Sequence, residues 1–294
     1  MINSKKLIPY ILILPFLFIM ALIFVGGIAQ AAIQSLGYLP VFGMYDISFE
    51  HYLRLFRNPH FMLSLRYTFY IAFVSSTLSV ILGVLVAFAV HHTKRGDKLS
   101  YSLYKIPIII PHAVVIILII NIFFQTGILS RVMYALGMID SAADFPLLIF
   151  DRAGIGIILT YLYKQVPFVA LTVFVVLRGM NRKYTQVAEN LGAGKLQIFL
   201  RVTLPMLAPT MLTAFLITFA FGFGAFEVPF LLGSPARQTL PILAYFDHRS
   251  PVLAARPSAM ATNVTISFIS LSLIWIYMRL AKALTKRGLE GGLI

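Results

Sequence analysis

Six stretches of this chain, near residues 8–30, 67–90, 106–125, 154–177, 207–232 and 259–280, are long and apolar enough to cross roughly 30 Å of hydrocarbon as helices. Hydrocarbon offers the backbone no hydrogen-bonding partner, so each such stretch has to satisfy its own amides, and a helix does this within one segment. With 60% hydrophobic residues, 12% charged residues and a mean hydropathy of +0.90, the 294-residue chain is too apolar for a soluble domain. The first stretch follows Lys5 and Lys6 like a secretory signal, but it runs past the usual apolar core of about 7–15 residues and is read as a retained span. The expected fold class is all-α integral membrane, with residues 1–294 forming a single transmembrane domain.

Orientation follows from the positive charges, because loops rich in Lys and Arg stay on the cytoplasmic side. One set of segments carries Lys5, Lys6, Lys94, Arg95, Lys98, Lys105, Arg178, Arg182, Lys183, Lys195, Arg201, Arg279, Lys282, Lys286 and Arg287, against the acids Asp97, Glu189 and Glu290. The opposite set carries Arg54, Arg57, Arg66, Arg131, Arg152, Arg237, Arg249 and Arg256, against nearly as many acids. Both termini are therefore expected in the cytoplasm. Most of the net charge of +14 belongs to that cytoplasmic face, where anionic lipid accounts for it, and nucleic acid is not an expected partner. The absence of cysteine removes disulfides, thiolate catalysis and Cys-based metal sites.

The outer connections are the longer ones. In 31–66, Ser48 is placed to cap a helix carrying Phe49, Tyr52, Leu53 and Phe56 on one face, ending at Asn58-Pro59, which predicts an amphipathic helix along the outer interface. Residues 126–153 and 233–258 carry turn signals at Gly127, Gly137, Gly233-Ser-Pro235 and Arg256-Pro257. These loops either receive a partner from outside or simply close that end of the molecule.

The connection between the fourth and fifth stretches, 178–205, is of another kind. Tyr184, Val187, Ala188 and Leu191 fall on one face of a short helix that ends at Gly192; Leu196, Phe199 and Leu200 begin a second stripe, which Pro205 is expected to close. The Gly192-Ala193-Gly194 corner carries almost no side chain, so another backbone can approach it. Such a helix fits a groove on a cytoplasmic partner, or packs as a connector on its own bundle.

The pattern Gln186-x-Ala188-x3-Gly192, followed after a gap by Leu204-Pro205, resembles the EAA motif of binding-protein-dependent ABC importer permeases. The resemblance extends over Tyr52 to Thr68, Pro107 and Pro111, Pro167-Phe168, and Phe223-Gly-Ala-Phe-Glu-Val-Pro229. It implies a six-helix type I importer permease in a bacterial inner membrane, paired with a second permease, the same or related. It also implies an ABC ATPase dimer that binds ATP and Mg on the cytoplasmic side and a solute-binding protein that delivers a small molecule from outside. The coupling role it implies falls on Gln186, Ala188, Glu189, Gly192, Ala193, Gly194, Phe199, Leu204 and Pro205. Gln186 stands where the family usually has Glu and Val187 where it usually has Ala; Glu189, three residues on from Gln186, is placed to compensate for the lost charge.

The chain itself carries no nucleotide-binding motif. Gly192-Ala-Gly194-Lys195 is followed by Leu196 where a phosphate loop needs Ser or Thr, and the first glycine of that pattern would fall on Glu189. Inside the spans there is no nucleophile arrangement, carboxylate pair or metal cluster; His91-His92 is read as a solvated helix end. Lys164, inside the fourth stretch, and Glu227, near the outer end of the fifth, are ionisable residues in or near the membrane, where a charge is costly. Both are candidates for the substrate pathway. Alternatively, Lys164 snorkels or caps carbonyls freed near Pro167, and Glu227 holds a helix end.

The stretches Glu189-Asn-Leu-Gly-Ala193 and Phe223 to Pro229 resemble the polyamine, ferric-ion, thiamine and phosphonate branch more than the sugar branch, which points to a spermidine/putrescine-type cargo. Glu227, Asp151 and Asp247 are compatible with a cation. A secondary carrier working without ATP would show inverted repeats and intramembrane ion-binding residues; no clear internal repeat is found.

Overall fold

The computed structural model describes the backbone of residues 4–91, 106–180, 182–253 and 255–290, and the side chains of 12–91, 106–180, 183–253, 255–276 and 278–279. Lys94, Arg95, Asp97, Lys98, Lys105 and His92 lie outside the described residues. Among the described residues the structure is nearly all helix, with one isolated bridge between Leu39 and Met44. The main helices are α1 (Ser4–Ser35), α2 (Glu50–Arg57), α3 (Pro59–His91), α4 (His112–Phe123), α5 (Ile128–Ala135) and α6 (Ile155–Gly179). They continue as α7 (Arg182–Asn190), α8 (Lys195–Gly224), α9 (Glu227–Leu232), α10 (Leu240–Arg249) and α11 (Ala255–Glu290). Six segments are long and apolar enough to cross a membrane: α1, α3, α4 with α5, α6, α8 and the first part of α11.

The chain divides into two compact units, Met1–Met62 with Leu240–Phe268, and Leu63–Thr239 with Ile269–Ile294. In the first, every described side chain of α1 from Leu12 to Gln30 is exposed, the condition of a helix whose solvent is lipid. The loop after it is tied by Ser35 Oγ and Tyr52 Oη, 2.7 Å apart, and by the Ser48 amide donating to the Leu36 carbonyl at 2.8 Å. Helix α2 starts at Glu50 and not directly after Ser48; Ser48 Oγ accepts the Glu50 amide at 3.0 Å from one residue upstream of the cap position, Phe49. Leu55 is buried while Phe49, Leu53 and Phe56 are exposed, so the predicted apolar face points outward. Arg256 lies over the Phe42 ring at 4.4 Å. Asp247, on α10, is half-buried, and burial raises its carboxyl above the ordinary range.

The core of the second unit is built by α3, α6 and α8. Gly83 of α3 meets Val169 of α6 so closely that a Cβ would stand 2.6 Å from the Val169 Cβ. A polar tie crosses the three helices: Ser79 Oγ donates to Gln165 Oε1 at 3.0 Å, and Gln165 Nε2 donates to the Thr218 carbonyl at 3.4 Å. Buried Val80, Val84, Val173, Leu177, Leu207 and Ala214 pack around one end of this arrangement, and Tyr67, Ile71, Ile116, Ile157 and Tyr161 around the other.

The prolines set the helix limits, and two spans differ from the sequence expectation because of them: the stretch expected at 106–125 is broken at Pro111, with α4 starting at His112. The stretch expected as one helix at 207–232 is broken at Ala225, whose backbone is extended (φ −71°, ψ 135°). A proline ring collides with the carbonyl four residues before it, so Pro229 forbids a helix running through Ala225. The chain leaves the helix there and restarts at Glu227, which places Pro229 in a first turn where its missing N–H costs nothing. At the other end Pro205 does not close the second stripe as expected. The helix passes through it because Phe199–Thr203 form a π turn, with the Leu204 amide bonded to the Phe199 carbonyl. The wider turn carries the carbonyls away from the ring. Residues 195–205 are therefore the base of α8 and not loop.

Gly83→Ala is expected to lower the thermal stability of the purified protein by about 1–3 kcal/mol by overpacking α3 on α6, read from the unfolding midpoint in detergent. For Asp247 the sign runs the other way. A carboxyl raised by burial contributes stability when protonated and loses it as pH rises through its folded value. Asp247→Asn should thus melt above the wild type at pH 7, and the gap should close below the usual aspartate range of about 3.9.

Candidate functional site

Helix α7 and the base of α8 meet at a corner with defined cap geometry. Gly192 has φ +81°, the Gly192 amide donates to the Glu189 carbonyl at 2.9 Å, and the Ala193 amide reaches the Ala188 carbonyl at 3.0 Å. These are the two bonds of a Schellman cap, which requires a left-handed residue at the position of Gly192. Gly194 is different: its backbone is extended (φ −71°, ψ 160°), it sits at the N-cap of α8, and its carbonyl accepts the Ile198 amide at 2.9 Å. A Cβ at either glycine would meet nothing within 4 Å, so the corner is open to an approaching backbone.

The two limbs of this corner have opposite surroundings. On α7, Tyr184 is 56% exposed, Val187 57% and Leu191 83%, and Leu196 in the first turn of α8 is 71% exposed, so the apolar stripe on α7 does not pack on its own bundle. Gln186 and Glu189 are exposed as well, and Ala188 and Ala193 are half-buried. The α8 limb is anchored. Ile198, Thr203 and Leu207 are buried, Phe199 meets the Phe88 ring at 4.4 Å, and Phe199 and Leu204 pack on the cluster around Val84 and Leu177; Pro205 is exposed. The anchoring residues Ile198, Thr203 and Leu207 were not singled out in the sequence, where nothing distinguishes them from the rest of an apolar helix.

Lys164 and Glu227 are placed in the second unit with a residue the sequence did not flag, His112. Lys164 Nζ donates to the Ile108 carbonyl at 3.0 Å and to the Ile110 carbonyl at 2.6 Å. These carbonyls belong to the turn broken before Pro111, not to the neighbourhood of Pro167, so the capping partner lies over 50 positions away in sequence. His112 opens α4, stacks on Phe221 with ring centres 5.4 Å apart, and lies within electrostatic reach of both Lys164 and Glu227. Glu227 is exposed in the first turn of α9, where the helix dipole favours a negative charge. Asp151 is committed elsewhere: its two carboxylate oxygens each accept at 2.8 Å, one the Ala153 amide and the other the Ile155 amide, at the start of α6. Among the described residues no group of His, Cys, Asp or Glu is gathered in a way that could hold a metal ion.

Residues 79–287 match the family described as binding-protein-dependent transport system inner membrane component, and the chain belongs to that family. It is 26% identical over 285 residues to the probable ABC transporter permease protein YurN of Bacillus subtilis (strain 168), covering 93% of this chain and 96% of YurN. It is 27% identical over 196 residues to the sulfate transport system permease protein CysT of Salmonella typhimurium (strain LT2), covering 66% of this chain and 67% of CysT. In structure it is similar to a chain of a bacterial alginate ABC transporter solved in complex with an alginate pentasaccharide-bound periplasmic protein. There the TM-score is 0.78 at 17% identity, over 96% of each chain. The protein is thus the inner-membrane permease component of a binding-protein-dependent ABC importer, a transport subunit whose ATP hydrolysis belongs to a separate ATPase.

Gly192→Ala should destabilise the α7 cap by about 1–2 kcal/mol, because an L side chain is strained in the left-handed region. Hydrogen exchange across 188–193 should speed accordingly. Gly194→Ala, in extended backbone and open space, should leave exchange unchanged.

Proposed function

We propose that α7 and the Gly192-Ala193-Gly194 corner are the surface through which the ATPase drives this permease, with both termini on the same cytoplasmic side. The observation that carries the reading is the exposed stripe of Tyr184, Val187, Leu191 and Leu196 beside a segment locked into the bundle. Covering such side chains on a partner gains about 1.5–3 kcal/mol each. Residues 195–205 convey the movement, because Ile198, Phe199 and Leu204 fix the base of α8 to the packed core. Gln186, without a charge, contributes hydrogen bonds to the partner, and Glu189 supplies the carboxylate on that face.

The mechanism is alternating access. ATP and Mg, bound by the partner ATPase dimer, close that dimer; the coupling corners move with it, and the permease pair, of this chain with itself or a related subunit, turns from inward-facing to outward-facing. Because a ligand shifts a conformational equilibrium only through differential affinity, the corner must bind the closed and open ATPase differently. A loaded binding protein meets the outer loops 31–66, 126–153 and 233–258, and cargo passes along a route that includes Lys164 and Glu227.

Two cargo classes come forward. A spermidine/putrescine-type cargo rests on the resemblance of Glu189 to Ala193 and Phe223 to Pro229 to that branch. An anionic cargo is supported by the relatives named for sulfate and alginate. The experiment for the coupling reading is Leu191→Asp in the complex reconstituted with its ATPase. ATPase co-purification and ATP-driven uptake should both fall at least tenfold, with membrane insertion retained. Gly192→Asp should insert normally while uncoupling ATP use from transport. Unchanged uptake in both variants, or uptake of equal rate without ATP, would overturn the coupling role and favour a secondary carrier.

A further inference from the structure

From the surroundings of Lys164 we infer that this permease carries an oxyanion-binding site in its wall, in which Lys164 receives a sulfate, phosphate or carboxylate group of the cargo, with His112 beside it. The inference rests on the assignment of this chain as an importer's membrane component and names the chemical class of its cargo.

Lys164 lies about 14 Å along the axis of α6 from Ile155, near mid-depth of a span, where a cation is expensive. Two of its three N–H groups go to the Ile108 and Ile110 carbonyls, which the break at Pro111 leaves without the donors a continuous helix would provide. A neutral amide could satisfy such carbonyls, so capping does not explain a full charge. Lys164 is also in no ion pair: among the described residues the one ion pair within 4 Å is Arg54–Glu50. The side chain is half-buried, so the remaining N–H is available to a ligand.

The neighbouring groups suit an anion carrying an organic body. Phe221, 46% exposed, stacks on His112 and meets the Tyr161 ring edge-on at 6.2 Å. The Tyr161 hydroxyl, three residues before Lys164 on α6, is buried with no hydrogen-bonding partner. Of the acids nearby, Asp151 is held by two backbone amides, while Glu227, exposed at the start of α9, lies within electrostatic reach of His112.

The test uses the complete importer, with its ATPase, partner permease and binding protein, in proteoliposomes. Sulfate, a phosphate monoester, an alginate oligosaccharide and spermidine serve as probes of ATP hydrolysis. One of the oxyanions should stimulate hydrolysis. Lys164→Gln, which keeps a donor for the carbonyls, should raise the KM for that probe at least tenfold while the unfolding midpoint holds; Lys164→Arg should stay within about threefold. Stimulation by spermidine alone overturns the inference while leaving the importer assignment standing. So does a Lys164→Gln variant that loses stability and turnover at unchanged KM, which would make Lys164 a carbonyl cap only. Absence of stimulation by every probe speaks against the coupling reading, and the site is then decided by amine acylation of the embedded complex read by mass spectrometry. Protection of Lys164 by an oxyanion and not by spermidine supports the site; equal labelling in all probes overturns it.

Discussion

Hydrocarbon gives an unpaired backbone amide or carbonyl nothing to bond to, and the local structure of this chain follows from how it meets that constraint wherever a proline interrupts a helix. At Pro111 the helix is broken outright, and Lys164 supplies donors to the carbonyls of Ile108 and Ile110. At Pro205 the helix is kept by a π turn over Phe199–Thr203. At Pro229 the chain steps out of the helix at Ala225 and begins again at Glu227. Each solution also leaves a feature behind: a cation inside a span, a rigid base under the Gly192 corner, and an acid at the start of α9.

The same division between fixed and free groups separates the two limbs of the 182–205 segment. Burial of Ile198, Thr203 and Leu207 makes the α8 limb an extension of the core, whereas the stripe on α7 is left exposed by a cap that only Gly192 readily forms. We propose that this helix, well ended but exposed among the described residues, is the docking element, with membership of the binding-protein-dependent transport family supplying the partner class.

Much of this was legible in the sequence, and the reasons are specific. Membrane spans announce themselves through length and apolarity alone, so all six stretches were found; the Gly192 stop and the α7 stripe are local patterns of spacing. What was not legible depends on contacts far apart in sequence or on competition between local rules. Pro205 reads as a helix stop unless the π turn before it is known, and Pro229 reads as mid-span until the break at Ala225 is seen. The partner of Lys164 was sought near Pro167, its neighbour in sequence, but the freed carbonyls lie before Pro111 on another element. His112 escaped notice because its significance comes from Phe221, Lys164 and Glu227, which the fold brings to it.

The most direct measurement of the central claim is a photo-activated cross-linker placed at position 191 of the permease in native membranes, with adducts identified by mass spectrometry in the absence of nucleotide and with ATP trapped. The account predicts adducts to the ATPase subunit whose yield or position changes between the two states. Adducts confined to lipid or to this chain's own residues in both states would contradict it.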